Sequence, residues 1–188
     1  MRRPDPVGVI VALAAAGIFV AHGFDGELTR DLGLYAYAGQ QVADGVPPYV
    51  GLMNRSGPLA HLVPGLGAAV ARLVGTDDLL GMRALFLVLS IACVWFVYLL
   101  GRDLYDSRLA GVVAAGLLVC VPGVISYATN GPREKTTMML LLAVALLAAT
   151  RRRWWWAGVA VALTTLTWQP VFFPALVAVA GAAAAAPR

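Results

Sequence analysis

The stretch RALFLVLSIACVWFVYLLG, residues 83–101, is an unbroken apolar run that opens on Arg83 and is followed directly by Arg102. Crossing the hydrocarbon core of a bilayer takes roughly 20 apolar residues at ~1.5 Å rise each, and this run has that length. It therefore predicts a membrane-spanning helix, and that reading sets the class of the whole chain. Composition agrees: 60% of the residues are hydrophobic and 13% are charged, whereas about 25% of a soluble domain is charged. The mean hydropathy is +0.78. An all-α polytopic membrane bundle is expected, with residues 1–188 as a single transmembrane domain, because no polar stretch is long enough to form a separate soluble unit.

Working outward, residues 7–23 predict a first span, 83–101 the second, 109–127 the third and 136–150 a short fourth. Residues 157–186 are too long for one ordinary span. Trp168-Gln169-Pro170 interrupts them with a polar side chain and a proline that lacks a backbone donor. Two short spans meeting at that break bring the total to about six, with one long kinked helix as the alternative. Cys93 and Cys120 lie inside apolar runs, where a thiol behaves as a small hydrophobe, and they define no disulfide framework.

The net charge of +4 arises from 14 basic residues placed mainly at the ends of these runs. That placement reads as membrane topology and gives no nucleic-acid partner. Arg2 and Arg3, Arg102 and Arg108, and Arg151 to Arg153 all fall on one side when the crossings are counted. The positive-inside rule makes that side cytoplasmic, the N-terminus included, and places residues 24–82 and 128–135 outside. The start MRRPDP before an apolar run also resembles a signal peptide, with Ala21-His22-Gly23 as a poor cleavage site, and cleavage leaves the sidedness unchanged. Arg151-Arg152-Arg153-Trp154-Trp155-Trp156 reads as an interfacial aromatic belt with a cytoplasmic anchor.

The outer segment 24–82 holds a second apolar run, residues 57–75. Leu59, Leu62, Val63, Leu66, Val70, Leu73 and Val74 recur at helical spacing and leave His61 and Arg72 off the stripe. Pro64, Gly65 and Gly67 weaken a continuous helix. A span here would also carry the later arginines outside, so a helix lying on the membrane surface is expected. Residues 31–45 predict a partner helix with Leu32, Tyr35, Ala36, Gly39 and Val42 on one stripe, ended by Gly45. Val46-Pro47-Pro48-Tyr49 then reads as extended linker.

Seven acids fall outside: Asp25, Glu27, Asp31, Asp44, Asp77, Asp78 and Glu134. A charge in a wet loop is ordinarily just solvated. Asp31 and Glu134 differ, because each stands where the chain re-enters an apolar environment. One reading makes both first-turn carboxylates stabilised by a helix N-terminus. The other makes them a pair converging at the bilayer edge, where low dielectric tunes a carboxylate toward general-base work or metal binding. His22 and His61 read as interfacial or packed histidines.

The order Asp31, Tyr35 and Tyr37, Gly45, Pro48-Tyr49, Asn54-Arg55, Gly57-Pro58-Leu59 and Arg83 resembles the first outer loop of the GT-C membrane glycosyltransferases, in particular the protein O-mannosyltransferase, aminoarabinose transferase and RgtA/B/C/D-like branch. Tyr98-Leu99-Leu100-Gly101-Arg102 and Glu134 also look like that family. The resemblance implies an enzyme of the plasma (inner) membrane and cell envelope that takes a polyprenyl-phosphate sugar from the lipid. It passes the sugar to an outside acceptor, which is a glycan, a lipid or a protein. By the same analogy Asp31 and Glu134 are the catalytic acids, with Asp31 as the acceptor-activating base or part of the acceptor site and Glu134 as the second outer-loop acid. Arg55 is the candidate for the donor phosphate, since its planar fork pairs with two oxygens; its other reading, the favoured one, is an anchor snorkelling to headgroups. Tyr35, Tyr49, Arg133, Lys135 and Gln169 complete the substrate-binding candidates.

Where the family often carries a second acid after the first, this chain has Leu32. Asp31, Glu134 and His61 together offer oxygen and nitrogen ligands, but no particular metal or other cofactor is predicted. The family's further spans also imply an N-terminal fragment, inactive if so. The chain has no phosphate-cradling glycine loop and no serine-histidine-aspartate order. A non-enzymatic membrane protein, a transporter module or assembly subunit, is the alternative. The near absence of ionisable residues within the spans weighs against it, because transport sites usually carry them there.

Overall fold

The computed structural model describes residues 5–185. Arg2, Arg3 and the rest of the signal-like start, together with the last residues of the 157–186 run, lie outside them. Every regular element among the described residues is helical: α1 Pro6–His22, α2 Arg30–Ala43, α3 Leu59–Leu73, α4 Asp78–Tyr105, α5 Arg108–Val119, α6 Pro122–Thr129, α7 Glu134–Thr150, α8 Trp154–Thr167 and α9 Phe172–Ala184, with a 3-10 turn, Gln169–Val171, between the last two.

α4 is the central post, packed against α1, α3, α5, α6 and α7. Its 28 residues span about 42 Å. It starts earlier than the apolar run because Asp77 caps it, accepting from the amides of Leu79 at 2.9 Å and Leu80 at 3.1 Å. Phe19 of α1, Val94 and Tyr98 of α4, Ala115 of α5 and Ala128 of α6 close the main core around it. Many other large apolar side chains are exposed, among them Ile10, Leu13, Leu117, Phe173 and Val177.

The third predicted span is not one helix. Residues 109–127 divide into α5 and α6, which meet at 72°. Pro122 supplies the reason: it disfavours helical backbone in the preceding residue, and Val121 is extended at φ −76°, ψ 115°. Among the described residues, only α4 is by itself long and apolar enough to cross a membrane, and the bent α5–α6 pair makes a second crossing if it is a broken span. Helix length thus accounts for one or two crossings among the described residues, against about six expected. The expected break at Trp168-Gln169-Pro170 is present, with Trp168 extended between α8 and the 3-10 turn.

Both helices predicted within residues 24–82 are present, and Gly45 ends the first with φ +83°. The expected weakness of α3 is absent. Its glycines allow close packing: a Cβ on Gly67 would lie 2.8 Å from the Met82 Cα of α4, and one on Gly39 of α2 would lie 2.8 Å from Pro64. The small face of α3 (Ala60, Gly67, Ala68, Ala71) therefore turns inward. Leu62, Leu66, Val70, Leu73 and Val74 form an exposed apolar stripe. Asp44 and Asp78, expected to be solvated, both clamp Arg72, at 2.7 and 2.9 Å, and so join α2, α3 and α4.

Arginine clusters from separate loops gather at one end of the bundle. Arg102 and Arg108 reach Asp5 at 3.0 and 3.5 Å, and Arg151 reaches Asp103 at 2.7 Å. Tyr98 donates to the same Asp5 carboxylate at 2.8 Å.

Candidate active site

The opposite end of the bundle is built where the N-termini of α2 and α7 meet. Thr29 caps α2, which places Asp31 in the first turn and turns Tyr35, one turn later, into the interior. Across from it, Asn130-Gly131-Pro132 breaks the chain after α6, and extended Arg133 leads into α7 with Glu134 as its first residue. The dipoles of both helices therefore favour a carboxylate where Asp31 and Glu134 stand.

Arg133 joins the two acids. Its Nη1 donates to Asp31 Oδ2 at 2.6 Å, although the residues are 102 positions apart. Its Nε lies 3.2 Å from Glu134 Oε2, yet the alignment forms no hydrogen bond, so both atoms are buried without one. The guanidinium also lies over two aromatic rings, Tyr35 at 5.9 Å and Tyr127 at 5.4 Å. Contacts of this kind attract a guanidinium through the ring quadrupole, while its edge engages the two acids.

The two acids, which the sequence presents alike, occupy different environments: the side chain of Asp31 is 60% exposed whereas that of Glu134 is 5% exposed. The hydrogen bond from Arg133 holds Asp31 below the usual carboxylate range. The reason is geometric: Asp31 sits on the outer rim of α2, while the chain entering α7 passes beneath it.

Around this group lies a polar loop, residues 49–58. Tyr35 shares a 2.7 Å hydrogen bond with the Ser56 hydroxyl, and Tyr49 donates to the Ser56 carbonyl at 2.7 Å. Burial raises the pKa of Tyr35, and the neighbouring Glu134 carboxylate raises it further. Burial also raises that of Tyr49, so both phenols remain proton donors at neutral pH. Tyr49 adopts φ +72°, a costly backbone for a bulky residue and one that concentrates at functional sites. Its ring packs 5.0 Å from that of His61, whose burial lowers its pKa and keeps it neutral.

The loop is fixed to α8 by Gly57. Its amide donates to the Thr167 carbonyl at 3.1 Å, satisfying an acceptor that the helix end leaves unpaired. A Cβ there would lie 2.0 Å from the Leu166 carbonyl oxygen. On the far side, Arg83 of α4 donates to the carbonyls of Asn130 at 2.9 Å, Gly26 at 2.7 Å and Phe24, drawing the chain after α1 onto the loop before α7.

Asp31, Tyr35, Arg133 and Glu134 are thus brought together, with Tyr49 linked through Ser56. Arg55 projects from the same loop, exposed, and its guanidinium bonds to none of the described residues. Lys135 turns toward α8, 5.9 Å from the Trp168 ring. Gln169 is exposed, and its amide forms no hydrogen bond with any described residue. Sequence reasoning missed Ser56 and Tyr127, which carry no charge signal; it noted Arg83 in the family-like order but not its role, because the carbonyls that it holds carry no sequence signal. Asp31, Glu134 and His61 do not converge on a metal position, and no other set of three His, Cys, Asp or Glu residues does so among the described residues.

Five buried side-chain atoms at this end have no hydrogen-bond partner: Asn54 Nδ2, His61 Nε2, Asn130 Oδ1, Arg133 Nε and Glu134 Oε2. Native interiors leave few such groups, and two of these, Arg133 Nε and Glu134 Oε2, face each other as an ion pair at 3.2 Å. Residues 59–186 match the family model described as dolichyl-phosphate-mannose-protein mannosyltransferase. No curated protein and no solved structure matches the chain.

Proposed function

The chain belongs to the dolichyl-phosphate-mannose-protein mannosyltransferase family, and on that premise we propose that it moves a sugar from a polyprenyl-phosphate donor to an acceptor glycan, lipid or protein outside the plasma membrane. The observation that carries this reading is the single guanidinium of Arg133 held between two carboxylates from remote parts of the chain. A glycosyl transfer from a lipid phosphate needs a base for the acceptor hydroxyl and a cation for the departing phosphate. Both stand here within one hydrogen bond of each other.

In this reading the acceptor hydroxyl gives its proton to Asp31 as its oxygen bonds to the anomeric carbon. The bond from that carbon to the phosphate oxygen breaks, and the phosphate leaves as an anion paired with Arg133 and Arg55. Arg133 lowers the basicity of Asp31 while it is paired with it. A donor phosphate that draws the guanidinium away restores that basicity when the donor is bound. Glu134, buried beside Tyr35 and Asn54, accepts from sugar hydroxyls and holds Arg133 in place. Tyr49 and Lys135 shape the rim, and Gln169 faces the lipid entrance.

Membrane placement follows the same logic. α1 and α7 have 17 residues each, at the lower end of the roughly 17–25 that span a bilayer. With outward apolar side chains on α1, α5 and α9, this supports a single multi-pass unit of about six crossings. The arginine-rich end faces the cytoplasm and the carboxylate end faces outward.

The test is transfer of label from polyprenyl-phosphate sugars by purified full-length protein, comparing Asp31→Asn and Glu134→Gln with the parent. Severe loss in Asp31→Asn at unchanged expression is expected. Unchanged transfer in that variant removes Asp31 from the reaction.

A further inference from the structure

Far from the carboxylates, α7 and α8 part to leave a cavity of about 310 Å³, at the lower edge of the roughly 300–1,000 Å³ typical of small-molecule sites. Its wall is apolar: Phe96 from α4, Val144 and Ala148 from α7, and Ala160 and Leu163 from α8. The positions recur at helical spacing on each element, so the cavity is a seam running along both helices. Small side chains at Ala148 and Ala160 leave the room. Arg151, Arg153 and Trp156 line it where α7 ends and α8 begins.

These arginines are not equivalent. Arg151 is committed to Asp103 at 2.7 Å, and that acid also receives Arg102 at 2.8 Å. The Arg153 guanidinium bonds to none of the described residues, and Trp155 and Trp156 beside it are exposed. An apolar slot with an uncompensated cation and aromatic residues at its mouth matches one class of molecule, an anionic amphiphile.

We propose that the seam between α7 and α8 is a binding site for an anionic phospholipid, with one acyl chain lying against Val144 and Ala160 and the phosphate on Arg153. The sugar donor is a poorer occupant, because the 17 residues of α7 set the mouth about 25 Å from Glu134. The inference rests on the chain lying in a membrane and is independent of the reaction at the other end.

Native mass spectrometry of the full chain, released from nanodiscs containing equal phosphatidylglycerol and phosphatidylcholine of matched acyl chains, tests it. Preferential retention of one phosphatidylglycerol is expected. Arg153→Gln should lower that retention about fivefold, the worth of one arginine at an anionic lipid surface. Val144→Phe, which fills the seam without touching the charges, should lower retention of both lipids. Equal retention of the two lipids, or Arg153→Gln behaving as the parent, overturns the proposal. So does displacement of phosphatidylglycerol by stoichiometric polyprenyl phosphate, which would make the seam a donor site.

Discussion

Replacing Arg133 with glutamine should destabilise the chain through Glu134 and not through Asp31. The Asp31 carboxylate is mostly in water, where an ion pair contributes little. Glu134 is buried, and its Oε2 lies 3.2 Å from the guanidinium, an attraction of about 5 kcal/mol at an effective dielectric constant of ~20. Removing the cation forfeits that attraction but also relieves its desolvation, so the net cost is about 3 kcal/mol, as for other broken buried pairs. In a chain of 188 residues this corresponds to a fall in melting temperature of roughly 6–12 °C. Unfolding followed by tryptophan fluorescence in detergent would measure it. Adding Glu134→Gln removes the stranded charge and should recover most of the loss, although neither variant should transfer sugar. Arg133→Gln melting with the parent, or a double variant no more stable than the single one, would refute the buried pair.

Arg133→Gln should also raise the titration midpoint of Asp31 in a carbon-detected NMR experiment on labelled aspartate. The folded-state pKa is depressed by Arg133, so the pair stabilises the fold above the unfolded value of ~3.9 and ceases to do so as pH falls through the lower folded value; an unmoved midpoint contradicts this. Gly57→Ala should displace the 49–58 loop from α8, because its Cβ would lie 2.0 Å from a backbone carbonyl. Losing the Gly57 and Ser56 hydrogen bonds costs about 2–3 kcal/mol, and an unchanged melting temperature would show that the loop is not held this way.

The helical class and most element positions were legible because an apolar run is a local property. Residues 83–101 need no partner to declare a helix, and Gly45 and Trp168-Gln169-Pro170 act on their own backbone. The same locality explains the misreading of residues 109–127. Hydropathy does not register a bend, and Pro122 was absorbed into an apolar count although it turns the chain by 72°. The glycines of α3 were misjudged for the opposite reason: their value lies in α2 and α4, which a helix considered alone does not include.

Sequence by itself determined an apolar, all-helical chain, and it singled out Asp31 and Glu134 as carboxylates at helix starts, since charge and hydropathy are carried residue by residue. Only the tertiary structure decided which acid is buried, that one guanidinium lies between them, and that Gly57 fixes the loop beside them. Asp31 and Arg133 are 102 residues apart in sequence, and Gly57 meets Thr167 across a still longer stretch of chain. Burial and charge pairing are properties of what lies across the gap, and no spacing along the chain encodes that.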